Sequence, residues 1–277
     1  MNVKRKSNAR VAVIMSIYQS DVYEDIVRAV DSIIKQTYSC SLYLYQDGPV
    51  SKEVSRYLNL LRDNHKNVTL MRSEQNKGLA HALNVMIEYV LTQGYDYIAR
   101  MDSDDLSRPT RIARQLQYFE QHPDIDVLGT SCREFGASYA LKEKHLPKTH
   151  DELLDFSVTR CPFIHPTVMF RSRVFVNGVR YPTNTKLTED MALWLKLIEG
   201  GYHLANINEV LLDYRLNENA VKRRQGLGKA ICEFSIRLQH MKVVNKGTPK
   251  NIVMITSRLL FHIMPLSVIK LLYKFAR

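Results

Sequence analysis

The chain has 277 residues, 45% of them hydrophobic and 24% charged, which is enough apolar material for a large buried core; no run of about 18 residues is free of charge, so no spanning helix is expected. Its net charge of +11 is uneven: residues 222–277 hold 12 of the 39 Lys and Arg and only Glu233 of the 28 acids, so a neutral body carries a cationic tail, unlike a uniformly basic nucleic-acid binder. Cys40, Cys132, Cys161 and Cys232 form no CxxC pair, which argues against a zinc site or a disulfide framework and fits a reducing compartment.

The first expected element is a strand, "VAVIMSI" at 11–17, whose unbroken apolar run suits burial on both faces. The run is short and lacks a small-residue cleavage site, so it is not taken for a secretion signal. Ile26, Val30, Ile33 and Ile34 then recur at helical spacing, and "LYLY" (42–45) reads as a strand ending at the turn Asp47-Gly48-Pro49. Val54, Tyr57, Leu58 and Leu61 mark a helix, "VTLM" (68–71) a third strand, and Leu79, Leu83, Met86 and Val90 a third helix. "YDYIARM" is a fourth strand, Pro109 suits the first turn of a helix running through Phe119, and "DVLGT" is a fifth strand. This alternation predicts an α/β fold with a mostly parallel central sheet flanked by helices.

Residues 131–215 are less regular. "PTVMFRS" and "EVLLDYRL" read as strands, and "EDMALWLKLIEGG" as a helix ended by glycines. From about 220 the pattern is helical and basic. The expected division is a catalytic domain over 1–220, with a nucleotide-binding part at about 9–130 and an acceptor part at about 131–220, followed by a helical tail over 221–277.

Ligands of open parallel sheets bind at the carboxyl ends of strands. Asp47 falls at the end of the second expected strand and Asp102 at the end of the fourth. Asp102, Asp104 and Asp105 form the run "DSDD", where like charges crowd together. Such a run is either a solvated turn with a helix cap or a site for a hard cation, Mg²⁺ or Mn²⁺, held against a diphosphate.

Six segments in order, "VAVIMSIYQSDVYEDIVRAVDSIIKQTY", "QDGP", "NKGLAHALN", "YIARMDSDDLSRPTRIARQ", "HPTVMFR" and "TEDMALWLKL", resemble inverting glycosyltransferases of family 2, with the GT-A fold, over residues 9–217. Bacterial members that build capsules, exopolysaccharides and O-antigens look most similar. The resemblance implies that Asp47 recognises the nucleotide base, that Asp102 contacts the nucleotide sugar, that Asp104 binds metal and diphosphate, and that Asp105 can substitute for either of these two. It implies a nucleotide contact for Lys77, a catalytic base at Asp190 with Glu189 beside it, and neutralisation of the leaving diphosphate by Arg215. Relatives often carry a further acid where Gln46 stands and a histidine where Asn217 stands. The implied activity moves a sugar from a nucleotide-sugar donor to a glycan acceptor, lipid-linked on the inner face of the cytoplasmic membrane.

Each of these residues also has a plain structural reading. Glu189 and Asp190 suit a helix N-terminus, Lys77-Gly78 a turn, His165 a satisfied structural histidine and Trp194 the core. A sugar-phosphate nucleotidyltransferase would need a Gly-rich basic loop after the first strand, where this chain has "SIYQSDVYED". A non-catalytic membrane-binding protein would explain the tail but not the acids. In the tail, "LSVIKLLYKFAR" (266–277) places Ser267, Lys270, Lys274 and Arg277 on one helical face, as expected of a helix lying on an anionic membrane surface.

Overall fold

In the computed structural model, which describes residues 9–185, 187–217 and 226–261, strand β1 (Val11–Ile17) lies inside the sheet and is buried almost throughout. Val11, Val13, Met15 and Ile17 join one apolar cluster and Ala12 and Ile14 another, the alternation that a strand covered on both faces requires. Around it stand β2 (Ser41–Asp47), β3 (Val68–Ser73) and β4 (Tyr97–Met101). These strands run parallel in the order β3-β2-β1-β4. The sequence order reverses between β1 and β4, which opens a crevice beyond their carboxyl ends.

Helices α1 (Tyr23–Ile34), α2 (Lys52–Asn64) and α4 (Arg111–Gln121) cover the face bearing Val13 and Met15. Helix α3 (Leu79–Thr92) covers the other, where Ala82, Leu83, Met86, Ile87 and Val90 pack on Ile14 and Ile98. The expected helices and strands of residues 9–130 are all present. Pro109 is displaced from its expected place: Thr110 is the N-cap of α4, so the proline precedes the helix and its carbonyl accepts from the Thr37 N–H at 2.9 Å.

Beyond β4 the sheet continues with β7 (Met169–Arg171), β6 (Val127–Phe135), β8 (Leu204–Arg215) and the two-residue β5 (Leu106–Ser107). Strand β7 is antiparallel to both β4 and β6, whereas β6 and β8 are parallel. The expected strand "PTVMFRS" is shorter than its apolar run, because His165–Thr167 form a 3-10 turn. Short helices α5 (His150–Ser157) and α6 (Arg173–Val176) precede α7 (Glu189–Glu199), which buries Trp194 completely.

Helices α8 (Leu227–Val243) and α9 (Pro249–Phe261) dock on this body through buried polar groups. His240, wholly buried, bonds Ser157 Oγ and Glu199 Oε1, each at 2.8 Å. Arg237 donates to the Ser157 carbonyl, and Arg237 and Arg258 share Glu233 Oε1. Val158, Met241 and Ile255 form the apolar part of the contact. Among the described residues no helix is long and apolar enough to cross a membrane. The amphipathic stretch expected at 266–277 lies outside the described residues.

Candidate active site

Asp47, the last residue of β2, is buried, and its two oxygens accept the backbone N–H groups of Lys77 and Gly78, both at 2.9 Å. The carboxylate thereby shapes the loop that enters α3 and presents the exposed Lys77 side chain. Gly48 permits this closure: its φ is +83°, and a Cβ there would lie 2.6 Å from the Asn76 nitrogen. Gln46 accepts from Arg72 Nε and donates to the Gly48 carbonyl, both at 3.0 Å.

The run after β4 turns inward. One oxygen each of Asp102, Asp104 and Asp105 lie within 4.8 Å of one another. Asp105 is wholly buried; Oδ1 accepts from the Arg215 N–H at 2.7 Å and Oδ2 has no partner. Burial, followed by the charges of Asp102 and Asp104, raises the Asp105 carboxyl well above the usual range. Asp104 is pushed up to about 7 by burial and by Asp102 and Asp21, with Arg215 and Arg100 acting the other way. A solvated turn would not raise its carboxyls in this way. An orphaned buried oxygen, three converging hard donors and their mutual repulsion fit an oxygen-ligated divalent cation.

Arg215 fastens this loop to its surroundings. Besides its N–H, its Nε donates to the Asp104 carbonyl at 3.1 Å, its Nη2 to Asp25 Oδ1 at 2.6 Å, and its guanidinium lies 4.7 Å over the Phe135 ring. Asn217 is exposed, and its carbonyl accepts from Tyr139 Oη.

Glu189 and Asp190 open α7, where the helix dipole favours acids, and Asp190 Oδ1 accepts from the Met191 N–H at 2.7 Å. Capping accounts for one oxygen of Asp190. Burial, then the charge of Asp190, raises Glu189. The two acidic clusters, 85 positions apart in sequence, meet electrostatically at buried Tyr181, which feels Arg100, Asp190, Asp102 and Glu189. Asn84 of α3 grips the Tyr181 backbone at both its N–H and its carbonyl, each at 2.9 Å. Tyr181 Oη bonds His165 Nε2 at 3.0 Å, and burial with the nearby Arg100 charge keeps this imidazole neutral at neutral pH. Trp194 stacks on Phe170 and meets Phe163 and His165 edge-on; fully buried, it is core and offers no face to a sugar.

Two arginines that were not singled out from the sequence support this arrangement. Arg111 is fully buried and donates to the Arg100 carbonyl at 2.8 Å, while burial lowers its guanidinium to about 9. Arg100, also buried, pairs with Asp102. A charge inside an otherwise apolar strand was the available signal for Arg100.

The family model described as "Glycosyl transferase family 2" matches residues 12–178. An Escherichia coli UDP-Gal:alpha-D-GlcNAc-diphosphoundecaprenol beta-1,3-galactosyltransferase is 30% identical, covering 96% of this chain and 95% of that protein. The amylovoran biosynthesis glycosyltransferase AmsE of Erwinia amylovora is 28% identical over 95% of this chain and 97% of its own length. Among solved structures, S. aureus TarS 1–349 in complex with UDP-GlcNAc has a TM-score of 0.65 at 15% identity, covering 86% of this chain and 71% of that one. The mannosyltransferase PcManGT from Pyrobaculum calidifontis, in complex with GDP-Man and Mn²⁺, has a TM-score of 0.60 at 17% identity, over 96% and 73%. At such identities these structures speak for the fold alone.

Proposed function

The chain belongs to glycosyl transferase family 2, and from that premise we propose that it moves a sugar, with inversion, from a nucleoside-diphosphate sugar to a hydroxyl of a polyprenyl-diphosphate-linked glycan in bacterial surface polysaccharide synthesis. The family removes the nucleotidyltransferase alternative. The observation that carries the reading is the cluster of Asp102, Asp104 and Asp105 after β4, with Asp102, Glu189 and Asp190 all within electrostatic reach of buried Tyr181. Asp104, Asp102 and Asp105 are the residues that would hold Mn²⁺ or Mg²⁺, and the cation would neutralise charge on the leaving diphosphate. Asp102 also contacts the nucleotide sugar. Arg215, already fixed by Asp25, adds a cationic side chain beside the same loop.

Asp190 is the base. Its one capped oxygen leaves the other to accept the acceptor hydroxyl proton, and a single carboxylate suffices for direct displacement. Glu189, whose carboxyl is raised by burial, stands beside it at the start of α7. Asp47 and the loop it shapes, with Lys77, line the nucleotide end. The lipid-linked acceptor is supported by the printed activity of the Escherichia coli relative. A peripheral place on the inner face of the cytoplasmic membrane is supported by the basic excess of 222–277 and by exposed Ile252 and Val253 on α9.

The test is a panel of nucleotide sugars with Mn²⁺ and a luminescent readout of released nucleoside diphosphate. Release should need acceptor and divalent metal and should collapse in Asp104→Asn; full activity in EDTA sinks the metal assignment. For the membrane, the full chain should float with anionic vesicles and a chain ending at Lys250 should not. Equal behaviour of the two removes the tail as anchor.

A further inference from the structure

Arg100 stands where the pattern of β4 calls for an apolar residue. Its neighbours along the strand, Ile98, Ala99 and Met101, are core. Its main chain is fixed on both sides, the N–H donating to the Val168 carbonyl at 2.9 Å and the carbonyl accepting from Arg111 Nη2 at 2.8 Å. The side chain is 2% exposed, yet its Nε and Nη1 have no hydrogen-bond partner. The charged side chain rests on one carboxylate, Asp102. Packing alone does not call for such a group, since an apolar side chain would fill the strand position without leaving buried donors unused.

Its surroundings explain it. Arg100 pairs with Asp102 and lies within electrostatic reach of Asp104, Asp105 and Glu189. Together with Arg215, this side chain gives the crowded acids a resident positive charge. A divalent cation arriving at the cluster meets that charge and must draw Asp102 away from it. We propose that Arg100 is a positioning residue that serves as the built-in counter-charge of the acidic cluster: it holds Asp102 ready in the metal-free protein and competes with the metal for that carboxylate. The competition keeps the metal exchangeable, so that cation and nucleoside diphosphate can leave together after transfer. This inference rests on the metal reading of the cluster proposed above.

The test compares full-length wild type, Arg100→Met, Arg100→Gln and Arg100→Lys by Mn²⁺ titration, read by the free-ion EPR signal, and by thermal melting in EDTA and in saturating Mn²⁺. Removing the competing charge should tighten Mn²⁺ binding roughly three- to tenfold in Arg100→Met and Arg100→Gln. Arg100→Lys, which keeps the charge, should stay within about twofold of wild type. Both neutral variants should melt below wild type in EDTA and recover most of the deficit with Mn²⁺. If Arg100→Met does not fold, Arg100→Gln carries the comparison. Mn²⁺ binding that is unchanged or weaker in the neutral variants, or a melting deficit equal with and without metal, makes Arg100 a purely structural ion-pair partner and overturns the proposal. Failure of wild type itself to bind Mn²⁺ overturns the metal reading and this inference with it.

Discussion

Replacing Asp104 with asparagine removes one charge from the crowded cluster at nearly constant shape. Burial and the charges of Asp102 and Asp21 push the Asp104 carboxyl up from 3.8 to about 7. Folded protein therefore keeps a proton that the unfolded chain has already lost, and metal-free stability falls as pH rises between those values, then levels off. At about 1.4 kcal/mol per pH decade the interval amounts to on the order of 4 kcal/mol. For a chain of this size that corresponds to a melting temperature lower by several degrees at pH 8 than at pH 4.5 from this group alone, at roughly 2 °C per kcal/mol. Asp104→Asn should remove this group's share of the slope; Asp105, raised well above its usual range, keeps its own. Mn²⁺ needs the ionised carboxylate, so its stabilising effect should grow with pH in wild type and be small in the variant. The assay is thermal melting from pH 4.5 to 8, in EDTA and with Mn²⁺. Coincident pH profiles for wild type and Asp104→Asn would refute the reasoning.

Asp190→Asn should retain donor and metal binding in equilibrium dialysis and lose roughly 10²–10⁴ in transfer rate; unaltered turnover removes the base from this position. Gly48→Ala places a Cβ 2.6 Å from the Asn76 nitrogen at a φ of +83°, and should cost about 2–3 kcal/mol in urea unfolding. A cost near zero means that the loop moves freely. His240→Ala leaves Ser157 and Glu199 without their buried partner, and should cost about 2–4 kcal/mol by thermal melting. Limited proteolysis of the variant should cut first within 226–261.

The Rossmann-like half was legible because its strands are buried on both faces and its helices have regular apolar spacing. "VAVIMSI" and Leu83-Met86-Val90 are signals of that kind, and both elements stand where expected. The second half was harder for a physical reason: its strands gain their stability from pairing, not from pattern. Strand β5 has two residues and exists by pairing with Leu212 and Asp213. The 3-10 turn at His165–Thr167 took residues from an expected strand. Helix α5 did carry a local signal, the capping box of Thr149 and Glu152, in which the Glu152 carboxylate accepts from the Thr149 N–H at 3.0 Å. The acids of the candidate site were visible as spacing. Their positioning partners Arg111, Tyr181 and Asn84 were not, since a buried arginine or tyrosine reads locally as surface or core. The docking of α8 rests on His240 and Arg237, two polar residues whose burial no local pattern announces.

Proton NMR of the anomeric centre during a single turnover, with a donor of known configuration and a polyprenyl-diphosphate-linked acceptor, tests the central claim most directly. One base at Asp190 facing one metal-bound diphosphate predicts that every product linkage is inverted relative to the donor, with no covalent glycosyl-enzyme trapped. A product of retained configuration contradicts the single displacement and the roles given to both carboxylate clusters.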